Sequence, residues 1–226
     1  MSGDERATVA VGPLLSAGRR AVLFAVRRLD ECTAEDIAES LEMTVSGARQ
    51  HLSALVEAGL IGFVEEPRPP GQRGRHRLRY HTTELADAVF PKAYDVLAND
   101  LLGALAEESP SAVERVFAKR RQSRIATAER RLEGKRTLGA KVSELARILD
   151  DDGYLATSES RGRTHRIVEH NCAIATVARR YGQACTSELE FIRAVLPEAR
   201  VERVRHLHNG ARHCAYEITE GPANRS

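Results

Sequence analysis

At 226 residues, with 42% hydrophobic but only 4% aromatic residues and no tryptophan, the chain can build two small cores from Ala, Leu and Val, a composition that favours helices. The formal net charge of +2 names no partner by itself, because the charge is concentrated locally. No apolar run approaches the roughly 18 residues of a membrane span, and the opening stretch MSGDERATVA lacks the basic and apolar regions of a secretion signal, so the expected location is cytoplasmic, with no membrane partner.

Residues 1–12 read as a flexible arm. From Leu14, apolar residues at helical spacing (Leu15, Val22, Leu23, Val26, Leu29) predict a first helix ending near Asp30. Thr33 is placed to cap a second, with Asp36 in the capping-box position and Ile37, Ala38 and Leu41 facing inward. Thr44 caps a third, which carries Val45, Ala48, Leu52, Leu55 and Val56 on one face and stops at Gly59. So short a turn between the last two helices predicts a helix-turn-helix. Segments 60–65 and 76–81 then pair as a hairpin across a loop rich in Pro and Gly, which makes 13–83 a winged helix-turn-helix.

The wing carries Arg68, Arg73, Arg75, Arg77 and Arg79 between residues 67 and 81, and no carboxylate. Guanidinium matches phosphate in charge and in its fork of donors. Ser46, Gly47, Arg49, Gln50 and Ser53 lie opposite the apolar stripe of the third helix, where Arg and Gln can reach guanine and adenine edges. We therefore take Ser46, Arg49, Gln50, Ser53, Arg68, Arg73, Arg75 and Arg77 as the candidate contacts to double-stranded operator DNA. The bland alternative is a solvated amphipathic helix and a soluble hairpin tip.

Residues 84–136 read as a helical linker: a short helix over 84–90, a second opened by Pro91 in the first helical position and running to about Glu107, and a third from Ser111 to Leu132. Lys119, Arg120, Arg121 and Arg124 on the last read as a solvated face. Apolar residues left over on these helices suit a homodimer, which would place two reading helices on an inverted-repeat site. Residues 137–220 read as a second domain. It has a helix over 138–149, strands over 154–157 and 164–169, short helices over 173–181 and 187–196, and a hairpin over 201–219 turning at Asn209-Gly210, with a tail over 221–226. The expected fold class is α+β: an N-terminal winged helix-turn-helix, a helical dimerisation linker and a C-terminal α/β metal-sensor domain.

Cys172, Cys185 and Cys214 fall in this second domain, 13 and 29 residues apart, among polar, histidine-bearing segments. Thiolates are soft donors suited to zinc or to the iron of a cluster. No Cys-x-x-Cys pair is present, so the fold itself must bring them together. They are equally compatible with inert buried cysteines. Cys32, far away in the chain, reads as structural. No HExxH, phosphate-binding Gly-rich loop or nucleophile–base spacing is found, so no enzymatic role is expected.

With these residues in hand, the chain resembles the SufR family, winged-helix repressors that carry an iron–sulfur cluster and control cluster-assembly operons. The likeness lies in Arg49, His51-Leu52, Ala58-Gly59-Leu60-Ile61, Phe90-Pro91-x-x-Tyr94, Asp152-Gly153-Tyr154, His170-Asn171-Cys172, Cys185, Gly210 and Cys214-x-Tyr216-x-Ile218. The resemblance implies a homodimer with one [4Fe–4S] cluster per sensor domain, held by Cys172, Cys185 and Cys214, whose state changes operator affinity. The chain departs from the family at Gly74-Arg75-His76, where Gly-Arg-Pro is usual, and in having no cysteine between Cys185 and Cys214. A fourth iron therefore needs another side chain, an external thiol or water. His206 and His208, read as sharing one face of a strand, are the candidate ligands, while His213 points away from Cys214. Zn²⁺ on the three cysteines and one histidine is the alternative cofactor, and makes the chain a zinc- or thiol-based sensor.

Overall fold

The computed structural model describes residues 15–66, 77–109 and 111–221, which form two compact units divided between Lys92 and Ala93. The arm, the tail beyond Gly221 and the wing tip with Arg68, Arg73 and Arg75 lie outside the described residues.

The first unit holds helices α1 (Ala17–Leu29), α2 (Ala34–Ser40) and α3 (Val45–Glu57), then an antiparallel hairpin of β1 (Ile61–Glu66) and β2 (Arg77–Thr82). Its helix starts are fixed by side chains. Thr33 Oγ1 accepts from the Asp36 amide at 3.2 Å and Asp36 Oδ2 accepts from the Thr33 amide at 2.8 Å, a reciprocal box that satisfies two end donors. These bonds from Thr33 hold the Asp36 carboxyl below its usual range. Thr44 Oγ1 accepts from the Gly47 amide at 3.1 Å and starts α3 in the same way. Gly59 supplies the left-handed residue, at φ +70°, that turns α3 into the wing. Val22, Leu23, Val26, Ile37, Leu52, Leu55, Leu60 and Ile61 make the core. Cys32 is buried beside them and exchanges backbone hydrogen bonds with Tyr80 at 3.1 and 2.7 Å, which ties the α1–α2 link to β2.

The second unit begins with α4 (Tyr94–Glu108) and α5 (Ala112–Leu132). Pro91 is not a helix opener: α4 starts three residues later, and 91–93 are irregular. Helix α6 (Leu138–Leu149) ends in a π turn over Asp150–Tyr154, followed by β3 (Ala156–Arg161) and β4 (Thr164–Glu169). Next come α7 (Ala175–Arg180), α8 (Gln183–Val195), β5 (Ala199–Arg205) and β6 (Cys214–Glu220). The strands form one antiparallel sheet in the order β3-β4-β6-β5, with α6 against β3 and β4 and α8 against β5.

This unit has two cores. The larger joins Leu145 and Leu149 of α6, Phe191 and Ile192 of α8, Ala128 and Leu132 of α5, and Ile167, Val201, Tyr216 and Ile218 of the sheet. The smaller joins Leu102 of α4, Val113 and Phe117 of α5, Val177 and Ala178 of α7, Tyr181 and Ala184. Full burial of each such large side chain contributes roughly 1.5–3 kcal/mol.

Polar links fix α5 to α8. Arg124, read from the sequence as part of a solvated basic face, is instead mostly buried: its side chain is 14% exposed and pairs at 2.8 Å with Glu188, itself 6% exposed. It also reaches Asp152 at 2.8 Å and lies 4.2 Å over the Phe191 ring. Burial opposes its charge, but Glu188 overrides that effect and holds the guanidinium above its usual range. Glu188 is in phase with Phe191 and Ile192 and so points inward. Arg121 pairs with Glu190, and Ser187 Oγ donates to the Phe117 carbonyl at 3.2 Å.

Two stability predictions follow from these contacts. Thr33→Ala should cost about 1 kcal/mol in the urea transition of the first unit by removing the box. Arg124→Leu should cost roughly 3–5 kcal/mol in the second unit by leaving Glu188 buried and uncompensated, and an Arg124→Leu, Glu188→Leu double variant should recover most of it. An additive double variant would show that the pair is not coupled.

Candidate metal centre and DNA-reading face

On α3 the side chains of Ser46, Arg49, Gln50 and Ser53 are exposed together, on the face opposite Ala48, Leu52 and Leu55. Arg49 is not free: its guanidinium pairs with Glu35 of α2 at 2.7 Å. Arg77 is exposed at the start of β2, while Arg79 is engaged by Glu66 at 3.3 Å and by the Glu31 carbonyl at 3.0 Å.

The three cysteines of the second unit line one cavity. Each comes from a different element, and the sequence explains each placement. Cys172 follows β4 in a loop held by its neighbour: Asn171 donates its amide to the Tyr154 carbonyl at 3.0 Å and its side chain to the Gly153 carbonyl at 2.8 Å. Gly153 has φ +89°, and a Cβ there would meet that of Ala173 at 3.4 Å. Asp152-Gly153-Tyr154 and His170-Asn171-Cys172 are thus two halves of one clasp. Cys185 sits in the first turn of α8, which begins at Gln183, earlier than the spacing suggests. Cys214 opens β6, where its sulfur accepts from the Leu207 amide at 3.4 Å. Cys172 and Cys185 pack against the smaller core, and Cys214 belongs to the larger.

His206 and His208 line the same cavity but do not share a strand face. Strand β5 carries an irregularity between Arg203 and Arg205 and ends there. His206 precedes a 3₁₀ turn over Leu207–Asn209, closed by Gly210 at φ +87°. The turn brings the two rings to 5.5 Å, edge to face. His213 faces His170 instead, at 6.0 Å.

Tyr154 and Tyr216, both part of the likeness read from the sequence, line the cavity too, as do Glu169, Glu188 and Arg203, which were not singled out, and Ile174, Ala178 and Ala184. Tyr154 donates to Glu188 Oε2 at 3.2 Å and Tyr216 to Glu169 Oε2 at 3.4 Å. Arg203 donates to the Cys185 carbonyl and lies 5.5 Å over the Tyr216 ring. Five buried polar atoms lack a partner: Glu169 Oε1, Glu188 Oε1, Arg203 Nε, His206 Nε2 and His208 Nε2. The signal for Glu169 was its phase with Ile167 on the buried face of β4.

Electrostatically the cavity resists negative charge. Burial pushes all three thiols up, with Glu169 adding to the rise at each. Burial and the nearby Glu188 push Glu169 up to about 8. Burial, with Arg203 and His208, holds the His206 ring below its usual range. Among the described residues no three His, Cys, Asp or Glu side chains converge closely enough for one metal ion. The donors instead surround an open-mouthed space of about 320 Å³. Three soft thiols on separate walls, with unpartnered nitrogen and oxygen donors between them, fit a multi-iron cluster better than a single ion.

Residues 16–62 match the family model described as bacterial regulatory protein, arsR family. No curated protein matches the chain significantly. Among solved structures, a MarR family transcription regulator aligns at 21% identity over 48% of this chain and 68% of its own, with a TM-score of 0.29. A MarR family regulator from Neisseria meningitidis aligns at 18% identity over 55% of this chain and 83% of its own, with a TM-score of 0.30. Superpositions this loose define neither fold nor function. Among the described residues no helix is long and apolar enough to cross a membrane. The matched segment runs from α1 into β1, the reading part of a winged helix, and the chain is a DNA-binding transcriptional regulator with a domain of the arsR type.

Proposed function

We propose that the second unit carries a [4Fe–4S] cluster on Cys172, Cys185 and Cys214 and that operator affinity follows the state of that cluster. The observation that carries this reading is the convergence of three thiols, from a clasped loop, a helix start and a hairpin strand, on one cavity with unpartnered donors. The resemblance to the SufR family points the same way and suggests repression of cluster-assembly or related stress genes. His206 and His208 stand among the donors left for the iron that the cysteines do not reach. A bound cluster supplies a group that iron supply or oxidants can remove.

The chain's own residues supply the rest. Helix α8 would pass any displacement of Cys185 to α5 through Glu188 and Arg124. The covalent path to the winged helix then runs through α5 and α4. Tyr94, Leu97 and Leu101 of α4 are 73%, 56% and 58% exposed, an apolar face suited to a second copy of the chain. Two copies place two α3 helices on an inverted repeat with half-sites one or two turns apart.

Anaerobic reconstitution with iron and sulfide should give a brown protein with about four irons and four sulfides per chain. Each Cys→Ser variant should lose that absorption and stay in one DNA-binding state. A wild-type chain that takes up zinc but no iron or sulfide would replace this reading with the zinc sensor. Arg49→Ala should weaken operator binding by about 1–3 kcal/mol and relax specificity, read by titration of labelled operator against a scrambled duplex. Unchanged binding by an Arg49→Ala, Gln50→Ala double variant would remove α3 as the reading helix.

A further inference from the structure

The two buried acids of the cavity are held differently. Glu188 meets Arg124 at 2.8 Å. Glu169 is 3% exposed and has no such guanidinium within ion-pair distance among the described residues; Tyr216 holds Oε2 at 3.4 Å, and Oε1 is buried without a partner. It closes β4, directly across the ladder from Cys214 and three residues before Cys172, with its side chain on the cavity wall. An acid buried this way among thiols is expensive unless a cationic group offsets it.

Three cysteines around a four-iron cluster leave one iron without a protein thiolate. We propose that Glu169 is the fourth protein ligand, its Oε1 oxygen taking that iron while Tyr216 fixes Oε2. The assignment rests on the cluster reading above. It prefers a side chain fixed on a paired strand over His206 and His208, which stand on a 3₁₀ turn, are less buried and lie against each other. A carboxylate is a harder donor than thiolate. An iron on that oxygen would be held less tightly than the three on thiolates, which would give a sensor its point of attack.

The test compares the full-length wild type, Glu169→Gln, Glu169→Asp and a His206→Ala, His208→Ala double variant, all reconstituted anaerobically. Mössbauer spectra of the wild type should show one iron distinct from the other three. In Glu169→Gln that distinct signal should shift, a small added thiol should change the absorption spectrum, and cluster loss in air should quicken roughly tenfold. Glu169→Asp should restore part of the wild-type behaviour, and the histidine variant should keep the distinct iron signal. Circular dichroism of the metal-free forms checks that each variant folds. Should Glu169→Gln not fold, the distinct iron in Glu169→Asp must shift instead. A Glu169→Gln protein with the wild-type Mössbauer pattern and decay rate overturns the assignment, as does loss of the distinct iron in the histidine variant. Wild-type chain that takes up neither iron nor sulfide sinks the cluster reading and this assignment together, whereas a cluster indifferent to Glu169 sinks this assignment alone.

Discussion

A carboxylate is buried at low cost only beside a counter-charge, and the second unit is arranged around the place where Arg124 of α5 provides one for Glu188 of α8. The same guanidinium covers Phe191 and meets Asp152 in the turn after α6, so one side chain sets α5, α8 and the turn against each other. Two cysteines inherit their positions from it. Cys185 lies one turn before Glu188 on α8, and the turn bearing Asp152 is clasped by Asn171, the neighbour of Cys172. The thiols are placed less by their own contacts than by a charge pair behind the wall.

The cavity also lies across a seam. Cys172 and Cys185 lean on the smaller core, which contains α4 and the start of α5, and Cys214 is part of the larger core around the sheet. A group bound by all three thiols cross-links the two cores, and binding energy becomes folding energy for the seam. Without it the seam is held by Arg124–Glu188, Arg121–Glu190 and Ser187 on the Phe117 carbonyl, contacts that all join the same pair of helices.

Much of the winged helix was legible in the sequence because its signals are local. Thr33 with Asp36, and Thr44 before an apolar stripe, start helices by bonds that span three residues. The α+β layout and the three cysteines were legible for the same reason. What escaped depends on neighbours distant in the chain. Arg124 looks like surface until Glu188, 64 residues on, is seen to face it. Glu188 and Glu169 each sit in phase with apolar residues, a signal overridden by the habit of placing acids in solvent. His206 and His208 alternate as a strand should, but the irregularity after Arg203 ends the ladder and turns both into a 3₁₀ corner. Pro91 has the fixed φ of a helix start, yet α4 begins only at Tyr94.

The ion pair between Arg49 and Glu35 bears on how the protein searches DNA. A guanidinium already bonded to a carboxylate at 2.7 Å gains little from a stray phosphate, since one anion merely replaces another. A guanine edge offers two acceptors in the fork geometry of the side chain and draws it away with the carboxylate left in water. On the proposed reading by α3, Glu35 would lower the attraction of that helix for the duplex in general more than for its proper site. On that reading the protein would leave non-operator sequence quickly, with part of its selectivity set by Glu35 before any base is met.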